Sequence, residues 1–183
     1  MPDDWGRDSP PDASSGVLLV ADSITINASV EKVWSTLLDF KSYKEWNPFV
    51  RNQTILDATS QTPLSDQTPT LGAFVLIKPV HIPATFDSST LWPWQKSSVR
   101  ATITHIDHEN HRIAWRMTGV PTFLLDAERW QTVRRRDDGE TEYATYEVFR
   151  GWLAYVVRLL VAPGLKKAVR AMAQGLKVKA EAQ

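Results

Sequence analysis

The sequence predicts an α+β protein: a seven-stranded, curved antiparallel sheet wrapped around a long C-terminal helix, with two short helices after the first strand. Three observations predict it. A β-branched strand pattern near the N-terminus leads straight into an amphipathic helix. Six further extended segments then follow one another, and the chain closes on a long segment of helical periodicity. Sequential strands with short connections favour a single antiparallel sheet. A sheet that wide twists and curls, so the closing helix must cover its concave face, and a curved sheet over a straight helix tends to leave a cavity between them.

At 183 residues and 20.7 kDa the chain has the size of one domain. Its apolar fraction of 43% and charged fraction of 23% are those of a globular protein. Lys and Arg total 21, as do Asp and Glu, so there is no general basic field to attract nucleic acid. The absence of cysteine removes disulfide scaffolds, cysteine-ligated zinc, iron–sulfur clusters and thiol catalysis. Eight tryptophans are many for this length and argue for a bulky core or a pocket lined with flat apolar surface. Residues 1–16 carry Asp3, Asp4, Asp8 and Asp12 among Pro and Ser; they are expected to form a disordered leader, not a signal peptide, ahead of a single domain over residues 17–183. The longest apolar run, residues 153–162, is interrupted by Arg158 and followed by Pro163, well short of a membrane span. A cytoplasmic protein without a transmembrane segment is expected.

Residues 17–28 alternate Ile24, Ile26 and Ala28 with Thr25 and Asn27, the pattern of a strand with one buried face. Ser29 is placed to cap a helix over residues 30–40, whose Val30, Val33, Trp34, Leu37 and Leu38 recur at helical spacing. A second helical turn, residues 42–46, must stop at Asn47 because the residue before proline resists the helical region. Extended segments follow at residues 49–56, 73–80, 98–106 and 112–117. Residues 126–136 and 140–150 then flank Asp137-Asp138-Gly139, a three-residue hairpin turn with a glycine free to take positive φ. With Arg136 opposite Glu140, Arg134 faces Glu142 and Arg129 faces Glu147. Pro163-Gly164 is expected to break or sharply kink the last helical region, leaving a helix from Leu165 onward with a stripe of Leu165, Ala168, Val169, Met172 and Leu176.

Several segments together resemble the helix-grip superfamily, the START-like or SRPBCC fold, and within it the polyketide cyclase/dehydrase-like branch. Ile24-Thr25-Ile26-Asn27-Ala28-Ser29 followed by Val33-Trp34 is similar to the family's first strand running into its first helix. Trp46-Asn47-Pro48-Phe49 is similar to its entry to the second strand, and Arg112-Ile113-Ala114-Trp115 to a strand ending in Trp. Glu147, Phe149 and Gly151 match the end of its last strand, and Leu176-Lys177 through Glu181 its C-terminal helix. The superfamily holds both carriers and enzymes. The resemblance therefore implies a small hydrophobic ligand in the cavity between sheet and helix. Two functions follow from it: a cofactor-free cyclase, dehydratase or isomerase of a polyketide- or terpenoid-like intermediate, and a non-catalytic carrier of a lipid, sterol or polyketide.

By that topology the inner face would carry Ile113, Trp115, Met117, Arg129, Gln131, Tyr143, Thr145, Glu147 and Phe149, with Trp46 and Phe49 at one end and Val169 and Met172 on the covering helix. In the catalytic reading Glu147 accepts a proton and Arg129 holds a carbonyl or enolate oxygen, while Gln131 and Thr145 orient the ligand. In the structural reading Arg129 and Glu147 only fix strand register. Trp46, Trp115 and Phe149 would form a flat wall or simply fill the core. Trp92-Pro93-Trp94, in the long link over residues 81–95, would be a lid over the cavity mouth or a loop packed on itself. His105, His108 and His111 straddle a turn without metal-ligand spacing and are expected to face solvent; no metal and no cofactor are expected. Arg134-Arg135-Arg136 sits beside Asp137, Asp138, Glu140 and Glu142, a self-compensated hairpin tip rather than a nucleic-acid patch. Oligomeric state is left open, with a homodimer as one option.

Overall fold

A computed structural model describes residues 9–59 and 61–182. Strands β1 (Leu18–Ile26), β2 (Gln53–Leu56), β3 (Phe74–His81), β4 (Lys96–Asp107), β5 (Arg112–Thr118), β6 (Asp126–Arg135) and β7 (Thr141–Arg150) form one antiparallel sheet in the order β1-β7-β6-β5-β4-β3-β2. Helices α1 (Val30–Leu38) and α2 (Tyr43–Trp46) follow β1, and helices α3 (Leu153–Val156) and α4 (Ala162–Glu181) close the chain. This is the helix-grip architecture.

Local chemistry sets the boundaries. Ser29 caps α1, its Oγ accepting from the Lys32 N–H at 3.2 Å. The helix ends at Leu38, two residues before the expected limit, and Phe40–Ser42 continues as a 3₁₀ turn into α2. Asn47 stops α2: its buried side-chain Oδ1 accepts from the Phe49 and Val50 amides at 3.0 and 2.9 Å. Phe49 therefore lies in this turn, and the second strand begins only at Gln53. The β6–β7 hairpin turns through Gly139 at φ 87°, with the Arg136 N–H donating to the Glu140 carbonyl at 2.8 Å.

The C-terminal helix departs from expectation. Pro163 does not break it: α3 runs through a π turn, Val157–Val161, directly into α4. The Ala162 amide donates to the Val157 carbonyl, so the wider π turn stands immediately ahead of Pro163 and the helix continues past it. The helix thus begins a dozen residues earlier than its apolar stripe suggested.

Leu165, Ala168, Val169, Met172 and Leu176 are buried against the sheet and the two N-terminal helices. At Gly175 a β-carbon would meet the Trp46 carbonyl oxygen at 2.1 Å, so the helix approaches α2 backbone to backbone. Gly175→Ala must push α4 away from α2, and a stability loss of about 1–3 kcal/mol is expected in urea unfolding.

The outer face of the sheet carries its own ion network. Asp126, 3% exposed, accepts two bonds from Arg116 (2.7 and 3.0 Å) and one from Arg150 (3.1 Å). Glu128 accepts from the Trp130 indole at 2.8 Å. The first eight residues of the expected leader lie outside the described residues. The remainder packs on this outer face: Pro11 is buried, its carbonyl accepts from the Tyr146 hydroxyl at 2.7 Å, and Ala13–Ser15 form a 3₁₀ turn.

Candidate functional site

Strand pairing brings Arg129 opposite Trp115 on one side and Glu147 on the other, and Gln131 opposite Ile113 and Thr145. Because side chains alternate across a strand, these residues share the concave face with Tyr143 and Phe149. Helix α4 covers that face with Val169 and Met172; Arg129 Nη1 lies 4.0 Å from the Met172 sulfur.

Arg129 and Glu147 form the ion pair that the hairpin register predicts. Nη2 donates to Glu147 Oε2 at 2.6 Å and Nε donates to the same oxygen at 3.2 Å. Both bonds end on Oε2, which leaves Oε1 available to a further donor. The Arg129 side chain is 4% exposed and that of Glu147 15%, so the carboxylate is the edge of the pair that water reaches. The guanidinium also lies over the Phe49 ring, 5.4 Å from its centroid. Nη1 has only the weakly accepting thioether before it.

Beside the pair lies a set of buried amides and hydroxyls. The Tyr143 hydroxyl donates a short bond to Gln131 Oε1, and this commits the other amide atom of Gln131, Nε2, to donate. Nε2 has no partner, while the Thr145 hydroxyl sits beside the Tyr143 hydroxyl. On β2, Gln53 is 2% exposed and sets its side chain beside the Tyr43 hydroxyl. Tyr43 on α2 donates to the Leu37 carbonyl at 2.7 Å. Burial pushes the Tyr43 and Tyr143 hydroxyls well above the ordinary phenol range, and Arg129 pulls each the other way. Both remain neutral donors. A buried donor without a partner costs about 1–3 kcal/mol, so Gln131 Nε2 beside the ion pair calls for a polar acceptor.

The surrounding wall is apolar. Trp46 packs on Tyr43 with ring centroids 4.6 Å apart, its indole N–H donating to Ser42 Oγ; Trp115 and Phe149 are buried, and Met117 is half-buried against the same core. The residues named on this inner face and on α4 therefore come together as the sequence suggested. The centre of this face is packed against α4: Gln131, Tyr143, Val169 and Met172 are each at most 1% exposed.

Trp92 and Trp94 are not brought to this cluster. They stack on one another at 5.2 Å, 64% and 76% exposed, held by a 3₁₀ turn over Pro93–Gln95. The histidines also depart from expectation. Of the three only His108 is exposed, and it accepts from the Trp34 indole at 3.4 Å; a bulge in β4 turns His105 onto Trp130, and His111 packs edge-on against Trp34. Among the described residues no group of three or more acidic or histidine side chains could hold a metal ion. Sequence reasoning missed Tyr43 and Gln53. Gln53 shares the period-two alternation of Ile55, and Tyr43 lies three residues before Trp46, so their placement on the buried side was available from spacing.

Three solved structures of similar shape are instructive. The hypothetical protein jhp0584 from Helicobacter pylori superposes with a TM-score of 0.66 at 14% identity, over 96% of this chain and 98% of its own. The Zhui aromatase/cyclase from Streptomyces sp. R1128 gives 0.65 at 15% identity, over 90% and 93%. A START superfamily protein from Mycobacterium smegmatis gives 0.58 at 16% identity, over 90% and 97%. At these identities the likeness establishes the fold alone. No curated protein matches the sequence. A family-wide sequence profile does, from residue 18 to residue 181, which spans every strand and the whole C-terminal helix. The chain therefore belongs to the polyketide cyclase / dehydrase and lipid transport family.

Proposed function

We propose that the protein binds a hydrophobic, carbonyl-bearing small molecule of polyketide or terpenoid type between its sheet and α4, and acts on it as a cofactor-free cyclase, dehydratase or isomerase. The observation that carries this reading is the set of unpartnered buried groups beside the Arg129–Glu147 pair. Gln131 Nε2 and Arg129 Nη1 are donors in want of an acceptor, which a ligand carbonyl supplies. The apolar wall of Trp46, Phe49, Trp115 and Phe149 suits a flat carbon skeleton.

The chemistry follows from the two free positions. Glu147 Oε1 takes a proton from the carbon next to the ligand carbonyl. The negative charge moves to the carbonyl oxygen, where Arg129 and Gln131 hold it. The enolate carbon attacks a second carbonyl of the same molecule, a carbon–carbon bond forms, and the new alkoxide takes the proton back from Glu147. Nothing is oxidised or reduced. The Zhui protein, an aromatase/cyclase of similar fold, is in keeping with this reaction class.

A carrier of lipid, sterol or polyketide is the second reading, favoured by the family description, which includes lipid transport. Incubation with linear and cyclised polyketides, terpenoids and sterols, with each bound compound recovered for mass and chromatographic analysis, separates the two. The catalytic reading predicts a bound compound returned cyclised or short of one water. Every bound compound returned intact would establish the carrier in its place.

A further inference from the structure

The face of α3 and the π turn that points away from the core is apolar. Trp152, Tyr155, Val156, Leu159 and Leu160 recur at i, i+3, i+4, i+7 and i+8, the spacing that ordinarily buries a helix. Here the stripe lies in solvent: Trp152 is 75% exposed, Leu159 78% and Leu160 73%. The patch extends sideways. Phe123, 66% exposed, accepts a backbone bond from Trp152 at 3.1 Å. On the other side Ile82 lies against Gly164, in the first turn of α4. Contiguous apolar surface of this kind is costly unless something covers it.

Charge identifies the cover. The chain as a whole is neutral, yet residues 151–180 contain six Lys or Arg and no Asp or Glu. Past Pro163 the exposed side of the rod continues as Lys166, Lys167 and Arg170, which have no carboxylate partner among the described residues. Bulky apolar and aromatic side chains that give way along one helix to uncompensated cations are what a helix lying in an anionic lipid interface requires. No helix among the described residues is long and apolar enough to cross a membrane, so such contact is peripheral.

We infer that the Trp152–Leu160 stripe, with Phe123, docks the protein on an anionic lipid bilayer, Lys166, Lys167 and Arg170 meeting the phosphates. The test is co-sedimentation of the full chain with vesicles of phosphatidylglycerol mixed with phosphatidylcholine and with vesicles of phosphatidylcholine alone. The wild type is expected to pellet with the anionic vesicles and to be released by salt. Leu159→Glu with Leu160→Glu should stay in the supernatant with an unchanged thermal melt, since both side chains are exposed. Lys166→Gln with Lys167→Gln and Arg170→Gln should weaken partitioning by roughly 10²-fold and remove most of its salt dependence. Wild type that pellets with neither vesicle overturns the inference, as does equal pelleting of wild type and the leucine variant. A dimer in light scattering that the leucine variant splits, without vesicle binding, also overturns it and makes the patch an interface between two copies.

Discussion

Glu147→Gln is expected to lower turnover of the cyclised substrate by about 10²–10⁴-fold while the protein stays folded and binding survives. The amide keeps an oxygen to accept from Arg129 and nearly the volume of the carboxylate, so the pocket wall is preserved. What it loses is the basic Oε1, which in the wild type is untouched by Arg129 because both guanidinium bonds end on Oε2. Single-turnover kinetics on a compound that binds both forms gives the answer. Turnover within twofold of wild type would remove Glu147 from the reaction.

Arg129→Met should have the largest effect on stability. It leaves the Glu147 carboxylate inside the fold without its cation, and breaking a buried pair from one side costs about 3–5 kcal/mol. The double variant Arg129→Met with Glu147→Leu should recover most of that loss, because removing both charges together leaves no uncompensated ion. Urea unfolding of wild type, both single variants and the double variant measures the coupling. If the double variant is as unstable as Arg129→Met alone, the pair is not what holds these strands, and the loss reflects packing against Phe49 and Met172.

The Arg129–Glu147 pairing was legible because a three-residue turn with Gly139 at positive φ leaves the hairpin one register, and register fixes every facing pair. The order of the strands was legible for a similar reason: each pairs with its sequence neighbour except at β1, which the last strand reaches. The continuity of the C-terminal helix past Pro163 was not. Pro163 reads as a stop in any helical pattern, and only a π turn, which leaves no mark in hydrophobic periodicity, lets the rod pass through it. The outward direction of Trp152, Leu159 and Leu160 was hidden too, since periodicity reports that a helix has an apolar face and not what the face meets. Trp92 and Trp94 show the same limit. Two indoles bracketing a proline could sit over the cavity or beside it, and the 3₁₀ turn that decides between them depends on a Gln95 side chain accepting from the Trp92 amide at 2.9 Å.

The central claim is that ligands enter the polar cluster between the sheet and α4. The chain has only three methionines, and two of them, Met117 and Met172, flank that cluster. Labelling the methionine methyl groups with carbon-13 gives a spectrum of three signals to follow while polyketides, terpenoids and sterols are added. The account predicts that a compound retained by the protein in ultrafiltration shifts Met172, which touches Arg129, together with Met117. Retained compounds that leave the Met172 signal where it was would contradict it, and would move the binding site elsewhere on the molecule.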